Sequence, residues 1–380
     1  MSERSEPHSK SERALPGDRT EAYHLASQWR LMGRKFRRHR LALGGGAVLA
    51  LFYLTAIFAG FLAPYDAHHR FRDFINTAPQ GPRFIDADGR FHLRPFVYGL
   101  TSVLNRETFR REIVADTSQR YPLRLLARGD RYKFWGLFDT DLHLFGVDEP
   151  GVLFLFGTDA LGRDLFSRNI HAARVSLSVG LVGVILSFVL GTILGGISGY
   201  FGRAPDMIIQ RIIEFLLSIP TIPLWMALAA SLPREWSVVQ VYFFITIILA
   251  IRGWCGLARV VRGKLLELRE EDFVMAARIA GTGDAGIIAR HLLPAFMSYL
   301  IVHLTLSIPF MILGETALSF LGLGLRPPAV SWGTLLQDAQ NVSAVALFPW
   351  LLIPAAFVIV SVLAFNALGD GLRDAADPYK

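Results

Sequence analysis

Between Arg174 and Arg203 the chain carries no charged side chain. That run exceeds the about 20 apolar residues with which a helix crosses the hydrocarbon core of a bilayer. In lipid every backbone N–H and C=O must find its partner within the protein, which a helix achieves. A crossing within 175–200 follows. Scanning for further mainly apolar stretches near that length gives 41–62, 207–232, 238–254, 299–318 and 348–368. The composition agrees: of 380 residues 52% are hydrophobic, and the mean hydropathy is +0.38, too apolar for a soluble fold. The expected fold class is an all-α membrane protein with six transmembrane helices.

Lysine and arginine near a span end mark the cytoplasmic side. Arg30, Arg34, Lys35, Arg37, Arg38 and Arg40 crowd against the first span, which places the N-terminus inside. Six crossings then bring 257–298 inside as well, and that segment carries Arg259, Arg262, Lys264, Arg269, Arg278 and Arg290. The net charge of +7 therefore sits beside apolar spans, and no nucleic-acid partner is expected. Residues 1–40 read as a cytoplasmic tail, polar and unstructured over 1–25, and 41–62 as an anchor rather than a cleaved signal. Arg252, inside the short fourth span, is expected to reach the interface by snorkelling.

Residues 63–156 have the composition of a soluble module, with thirteen Lys/Arg against twelve Asp/Glu. In "RFIDADGRFHL" the pair Asp88-Gly89 lies between two alternating runs, which predicts a hairpin. "YPLRLLARGDRYKFWGLF" is expected to turn at Arg128-Gly129-Asp130. A small β-rich external insert between the first and second spans results. His68 and His69 lack further ligands at metal spacing, and one cysteine, Cys255, excludes an intramolecular disulfide.

No phosphate loop, H-E-x-x-H or G-x-S-x-G pattern occurs. Catalytic, metal and cofactor-binding residues are therefore not expected in this chain. Charged or polar groups within the spans are the next candidates, since a bilayer makes them costly. Glu214, three residues after Arg211, pairs with it or faces a pathway. His303 lies inside the fifth span, and Glu315 near its outer end braces an external loop or faces the pathway. Pro220 and Pro223 break the third span, Pro309 the fifth and Pro354 the sixth; the freed carbonyls can face a cavity.

The segment "FVMAARIAGTGDAGIIARHLLP", 273–294, reads differently. Glu270, Glu271 and Asp272 favour a helix start, and Gly281 and Gly283 stop it. Ala276 and Ala277 would let another surface approach closely. A second helix over about 285–293 is expected to end before Pro294. Such a helix pair is either a lever for an external motor or a partnerless interfacial helix.

Ala276-Ala277, Gly281, His291 and Leu293-Pro294 at this spacing resemble the "EAA" loop of ABC importer permeases, with Met275 where glutamate is usual and His291 where isoleucine is usual. "RHLLP" is similar to the dipeptide/oligopeptide/nickel branch. "FGTDALGRDLFSR" at 156–168, "ALSFLGLGLRPPAVSWG" at 317–333 and "NALGDGLRDAADP" at 366–378 resemble further blocks of its C-type permease. Read without the resemblance, Thr158 or Asp159 caps the helix leading to the second span.

The resemblance implies an inner-membrane permease domain over 157–380, both termini cytoplasmic, and a periplasmic insert at 63–156. It implies a heterodimer with a second permease, two ATPase subunits carrying ATP and Mg, and a periplasmic substrate-binding protein. The cargo would be di- or oligopeptides, nickel or a related solute, moved by alternating access. Within the coupling loop 257–298, the docking residues would be Met275, Ala276, Ala277 and Gly281, with His291 and Pro294 shaping the return. A proton-coupled carrier and a membrane-anchored binding or sensory protein are the alternatives.

Overall fold

The computed structural model describes residues 28–104 and 111–376; the tail reading of 1–25 lies outside them. In chain order the helices are α1 (Gln28–Phe36), α2 (Arg40–Ile57), α3 (Ala59–Leu62), α4 (Leu165–Phe201), α5 (Arg203–Ser218), α6 (Thr221–Ala230), α7 (Val238–Leu268), α8 (Asp272–Ile279), α9 (Met297–Phe320), α10 (Trp332–Leu336) and α11 (Ile353–Ala376), with one- and two-turn pieces between some of them. Five are long and apolar enough to cross a membrane, namely α2, α4, α7, α9 and α11 with the turn before it.

The stretch at 207–232 is not one straight helix. α5 and α6 meet at 88°. Ile219 is extended (φ −87°, ψ 130°) and Pro220 is the N-cap of α6, because a residue before proline is driven out of the helical region. Pro223 falls in the first turn of α6 and breaks nothing there. Arg252 does not snorkel: its Nη1 donates to the carbonyls of Leu216 (2.8 Å) and Ile219 (2.7 Å). It thereby satisfies acceptors that the end of α5 leaves open.

α7 also outruns its expected end, continuing through Arg259 and Arg262 to Leu268. It lies against α4 through glycines. Gly183 faces Thr246, Gly191 faces Leu257, Gly195 faces Ala258 and Gly199 faces Arg262, so the two helices run parallel. α9 runs the opposite way, with Gly180 against Ile312 and Ile308 and Glu315 hydrogen-bonded to Ser176. α11 likewise runs antiparallel to α2, Gly45 meeting Ala364 and Gly371 meeting Ala42. Small residues at such crossings let helices gain dispersion contacts that lipid would otherwise supply.

Between α3 and α4 lie two small antiparallel sheets, β1 (Arg83–Ile85), β2 (Phe91–Leu104) and β3 (Arg111–Pro122), then β4 (Arg124–Phe134) and β5 (Phe138–Gly146). The expected turn at Asp88-Gly89 is present, with Gly89 at φ +80°. Beside it Asp86 accepts from Asp88 N and Arg90 N and pairs with His92. The His92 hydrogen bond, followed by those of the backbone, holds the Asp86 carboxyl down to about 2.

The second turn is not at Arg128-Gly129-Asp130, which lies within β4. Chain reversal occurs after Phe134, at Trp135 (φ +51°) and Gly136 (φ +74°). Gly129 instead sits in a register irregularity between Arg128 and Tyr132, where a Cβ would come within 2.9 Å of the His143 ring. Close approach, not reversal, requires that glycine. Asp130 accepts from Asp66 N (2.9 Å) and pairs with His69 (2.9 Å).

Candidate coupling surface and pathway residues

α8 follows directly on α7. Glu271 is its N-cap residue and Asp272 its first-turn acid, as the dipole favours. Ala280 N bonds to Ala276 O (2.9 Å), and Thr282 N bonds back to Ala277 O (3.0 Å) across Gly281, which stands at φ +81°. Glycine takes that left-handed conformation without steric cost. Gly283 does not stop the helix; with φ −69° it is the N-cap of the next turn.

The two alanines part company. Val274 and Ala277 are buried in a cluster with Tyr200, Leu257, Val261, Leu265, Ile287 and Leu292. Met275, Ala276 and Ile279 point outward with Phe273, and Ile279 is 87% exposed. Only Ala276 of the pair is therefore open to a partner, since residues one apart on a helix face different ways. The outer face is apolar and surrounded by charged residues, and the inner face is anchored.

Pro294 does not end the second helix. Residues Ile287–Leu292 form a π turn and Leu293–Ala295 a further turn that contains the proline. Within an α turn the proline ring would meet the carbonyl four residues back; the wider π turn accommodates it. The break comes at Phe296 (φ −123°) before α9. His291 is half-buried and Pro294 exposed.

Two polar links tie this region to the bundle. Tyr200, near the end of α4, donates to Asp284 (2.7 Å) and accepts from Arg278 (3.3 Å), whose guanidinium lies 5.9 Å from the Tyr200 ring centroid. The Tyr200 hydrogen bond raises the pKa of Arg278. Asp206 of α5 receives Arg262 in two hydrogen bonds of 2.5 and 2.6 Å, and Ser198 donates to it (2.5 Å). None of these partners was among the sequence candidates. Gly191, Gly195 and Gly199, four apart and so on one helix face, carried a readable signal for the seam they sit beside.

The pathway candidates do not converge. A cavity of about 270 Å³ between α4, α7 and α9 is lined by His303 with Ser187, Ser307, Leu257, Phe310 and Met311 among others, and its lining includes neither Glu214 nor Glu315. Glu214 is exposed and pairs with Arg211 at 2.9 Å. Pro309 is buried within α9, and Pro354 lies in the first turn of α11 rather than breaking a span.

Glu315 is fully buried and braces the loop that follows α9. It accepts from Ser319 (2.7 Å), Ser331 (2.7 Å) and Ser176 (3.3 Å), and Ser331 is the N-cap of α10. Three elements are thus joined at one carboxyl group. Nearby, the cap of α4 is neither Thr158 nor Asp159 but Asp164, which accepts from Ser167 N (2.7 Å). Asp159 binds its own loop at Leu161 N and Arg163 N, and pairs with Arg163 and Arg168.

Residues 191–379 match the family model for the binding-protein-dependent transport system inner membrane component, and residues 27–79 match that for the N-terminal TM domain of oligopeptide transport permease C. A putative peptide permease protein of Brucella suis is 41% identical over 242 residues, covering 63% of this chain and 78% of that one. The oligopeptide transport system permease protein OppC of Bacillus subtilis is 38% identical over 224 residues, 59% of this chain and 71% of that one. Among solved structures, the chain is similar to one in the inward-facing MetNI methionine ABC transporter, at 18% identity and a TM-score of 0.42, over 56% of this chain and 97% of that one. With its apolar helices, the family-model matches and the extent of the similarity to these two permeases, the chain belongs to the binding-protein-dependent transport system inner membrane component family and is a multi-pass inner-membrane permease, a transport subunit.

Proposed function

We propose that this permease forms, with a second and different permease, the path by which di- or oligopeptides enter the cell, driven by two separate ATPase subunits and fed by a periplasmic substrate-binding protein. The peptide cargo rests on the names of the relatives. The observation that carries the coupling role is the outer face of α8, where Met275, Ala276 and Ile279 are exposed beside the buried Val274 and Ala277. An apolar face held rigidly from behind, at the end of the long α7, transmits displacement to the spans. His303 and its cavity are this chain's share of the path, and rigid-body rocking of the bundle exposes it to each side in turn.

Six crossings are supported by helix direction. α4 and α7 run parallel, so the segment joining the end of one to the start of the other has to return across the bilayer. The bent pair of α5 and α6 supplies that return. The start of α2 and the end of α11 then share a side with α8, and the basic run from Arg34 to Arg40 supports assigning that side to the cytoplasm. The two sheets fall on the periplasmic side.

Gly281→Val tests the coupling role. Nothing lies within 4 Å of the new Cβ, so sterics with neighbours are not at issue, but φ +81° is retained only at a cost. A β-branched residue there costs about 1–2 kcal/mol, which at about tenfold per 1.4 kcal/mol tilts or frays the end of α8. Peptide uptake is expected to fall about tenfold while the amount of protein in the membrane holds. Uptake at the parental rate would contradict the role given to α8.

A further inference from the structure

We propose that the tip of the β4–β5 hairpin inserts into the outer-leaflet interface of the bilayer and anchors the external insert beside α2. The proposal rests on α2 crossing the membrane and is independent of the coupling role of α8.

The hairpin runs back along the chain that leaves the membrane. Asp130 meets Asp66 N (2.9 Å), and His143 meets the carbonyl of Ala63 (2.5 Å). The Tyr132 ring lies against Gly60, where no Cβ would fit. Trp135 Nε1 donates to the carbonyl of Ile57 (3.2 Å), and Phe58 packs 6.1 Å from Phe134 and 6.0 Å from Trp135. Following the hairpin from residue 130 to its turn at 135 thus descends the chain from 66 to 57. The tip ends level with the last residue of α2.

That residue marks a depth. The 18 residues of α2, at about 1.5 Å each, nearly match the about 30 Å hydrocarbon core, so Ile57 lies at its outer boundary. On the same helix Leu51, Leu54 and Ile57 are exposed by 60, 51 and 45%, a face that lipid covers in a membrane-crossing helix. The tip continues that face, with Trp135, Leu137 and Phe138 exposed by 57, 73 and 66%. Trp suits a position where one end of the ring is apolar and the other wet. Lys133, also exposed, lies two residues before Trp135, about 7 Å back along the strand, where its ammonium suits the headgroup region.

Two contrasts strengthen the assignment. The turn between β1 and β2 is built from Asp86, Asp88, Gly89 and Arg90, the ordinary polar chemistry of a tip in water. In the β4–β5 turn, by comparison, Trp135 is held at φ +51°, a conformation in which Asn or Gly would sit more easily. An aromatic kept there against its backbone preference implies that its ring is used.

The test uses the full chain, with Cys255 replaced by Ala and an environment-sensitive fluorophore attached at Leu137→Cys or, as the water reference, Asp88→Cys. In vesicles of phosphatidylethanolamine and phosphatidylglycerol, the Leu137 probe is expected to emit to the blue of the Asp88 probe. Brominated lipid should quench it at least about threefold more than aqueous iodide does, with the reverse at Asp88. Should labelled protein fail to fold, the difference in brominated-lipid quenching between the parent chain and Trp135→Phe reads the same depth. Iodide quenching at Leu137 equal to that at Asp88 would overturn the proposal. So would shielding that appears only on adding a partner protein, or that vanishes when the chain is diluted in lipid, since these point to a protein partner or a second copy.

Discussion

Gly195→Leu is expected to deplete the protein from the membrane. A Cβ at this position would lie 2.5 Å from the carbonyl oxygen and 2.8 Å from the Cα of Ala258, and 2.9 Å from Val261 Cβ. Two of those three atoms are backbone in the middle of α7, and they cannot step aside as a flexible side chain would. Its neighbours on the seam leave no slack, because a Cβ on Gly191 would lie 2.9 Å from the Trp254 carbonyl and one on Gly199 would lie 2.7 Å from that of Arg262. Overpacking of this kind costs about 3 kcal/mol or more, a large fraction of the margin by which a folded chain survives quality control. Steady-state protein should drop about fivefold or more, and what remains should unfold earlier in detergent by size-exclusion fluorescence. Gly196→Ala is the matched control: its nearest neighbour is the Ile288 side chain at 3.7 Å, so its level should match the parent. Equal levels for Gly195→Leu would mean that α4 and α7 are not packed as described.

Ala276→Arg separates folding from transport. The position is exposed, so the chain should insert and reach parental levels. A guanidinium on the outer face of α8 would hold off any surface that seats against Ala276, and burying it unpaired would cost several kcal/mol. Loss of about 3 kcal/mol at a docking contact corresponds to about a hundredfold weaker association. Co-purification of the proposed ATPase subunits with the permease should fall accordingly, and peptide uptake with it. The reciprocal change, Ala277→Arg, should instead lower the amount of protein, since Ala277 faces the buried cluster around Leu257 and Ile287. Normal uptake by Ala276→Arg would remove α8 from the coupling path.

Much of this was legible beforehand because hydropathy, acidic helix starts and glycine turns are local. The positions of α2, α4, α9 and α11, the Asp88-Gly89 turn, the start of α8 and the helix stop at Gly281 all depend on a few adjacent residues. The bend between α5 and α6 was only half legible. Pro220 announced a break, whereas its sharpness and the service of Arg252 to the Leu216 and Ile219 carbonyls depend on α7, far away in sequence. α7 was read short because hydropathy reports where lipid ends, not where helix ends.

The tripeptide Arg128-Gly129-Asp130 misled because a glycine needed for close approach to His143 looks the same in sequence as one needed for a turn. Conversely Trp135-Gly136 did not announce itself, since a left-handed Trp runs against residue preference. For the candidate site, the helix and its cap could be read, but the division of labour between Ala276 and Ala277 required knowing which face of α8 meets the bundle. Tyr200 and Asp284, separated by 84 positions, carry no spacing that links them. For Glu315 the sequence left bracing and pathway roles open, and the hydrogen bonds that fit the bracing one come from Ser176, Ser319 and Ser331, which lie on different elements.

Accumulation of a labelled peptide in sealed vesicles, with and without the ATPase subunits, decides whether this permease is a passive gate. With the partner permease, binding protein and ATPases present, uptake is expected only when ATP is supplied on the α8 side, and it should disappear when the ATPases are omitted. Peptide accumulation by this chain alone, sustained by a proton gradient and indifferent to ATP, would contradict it.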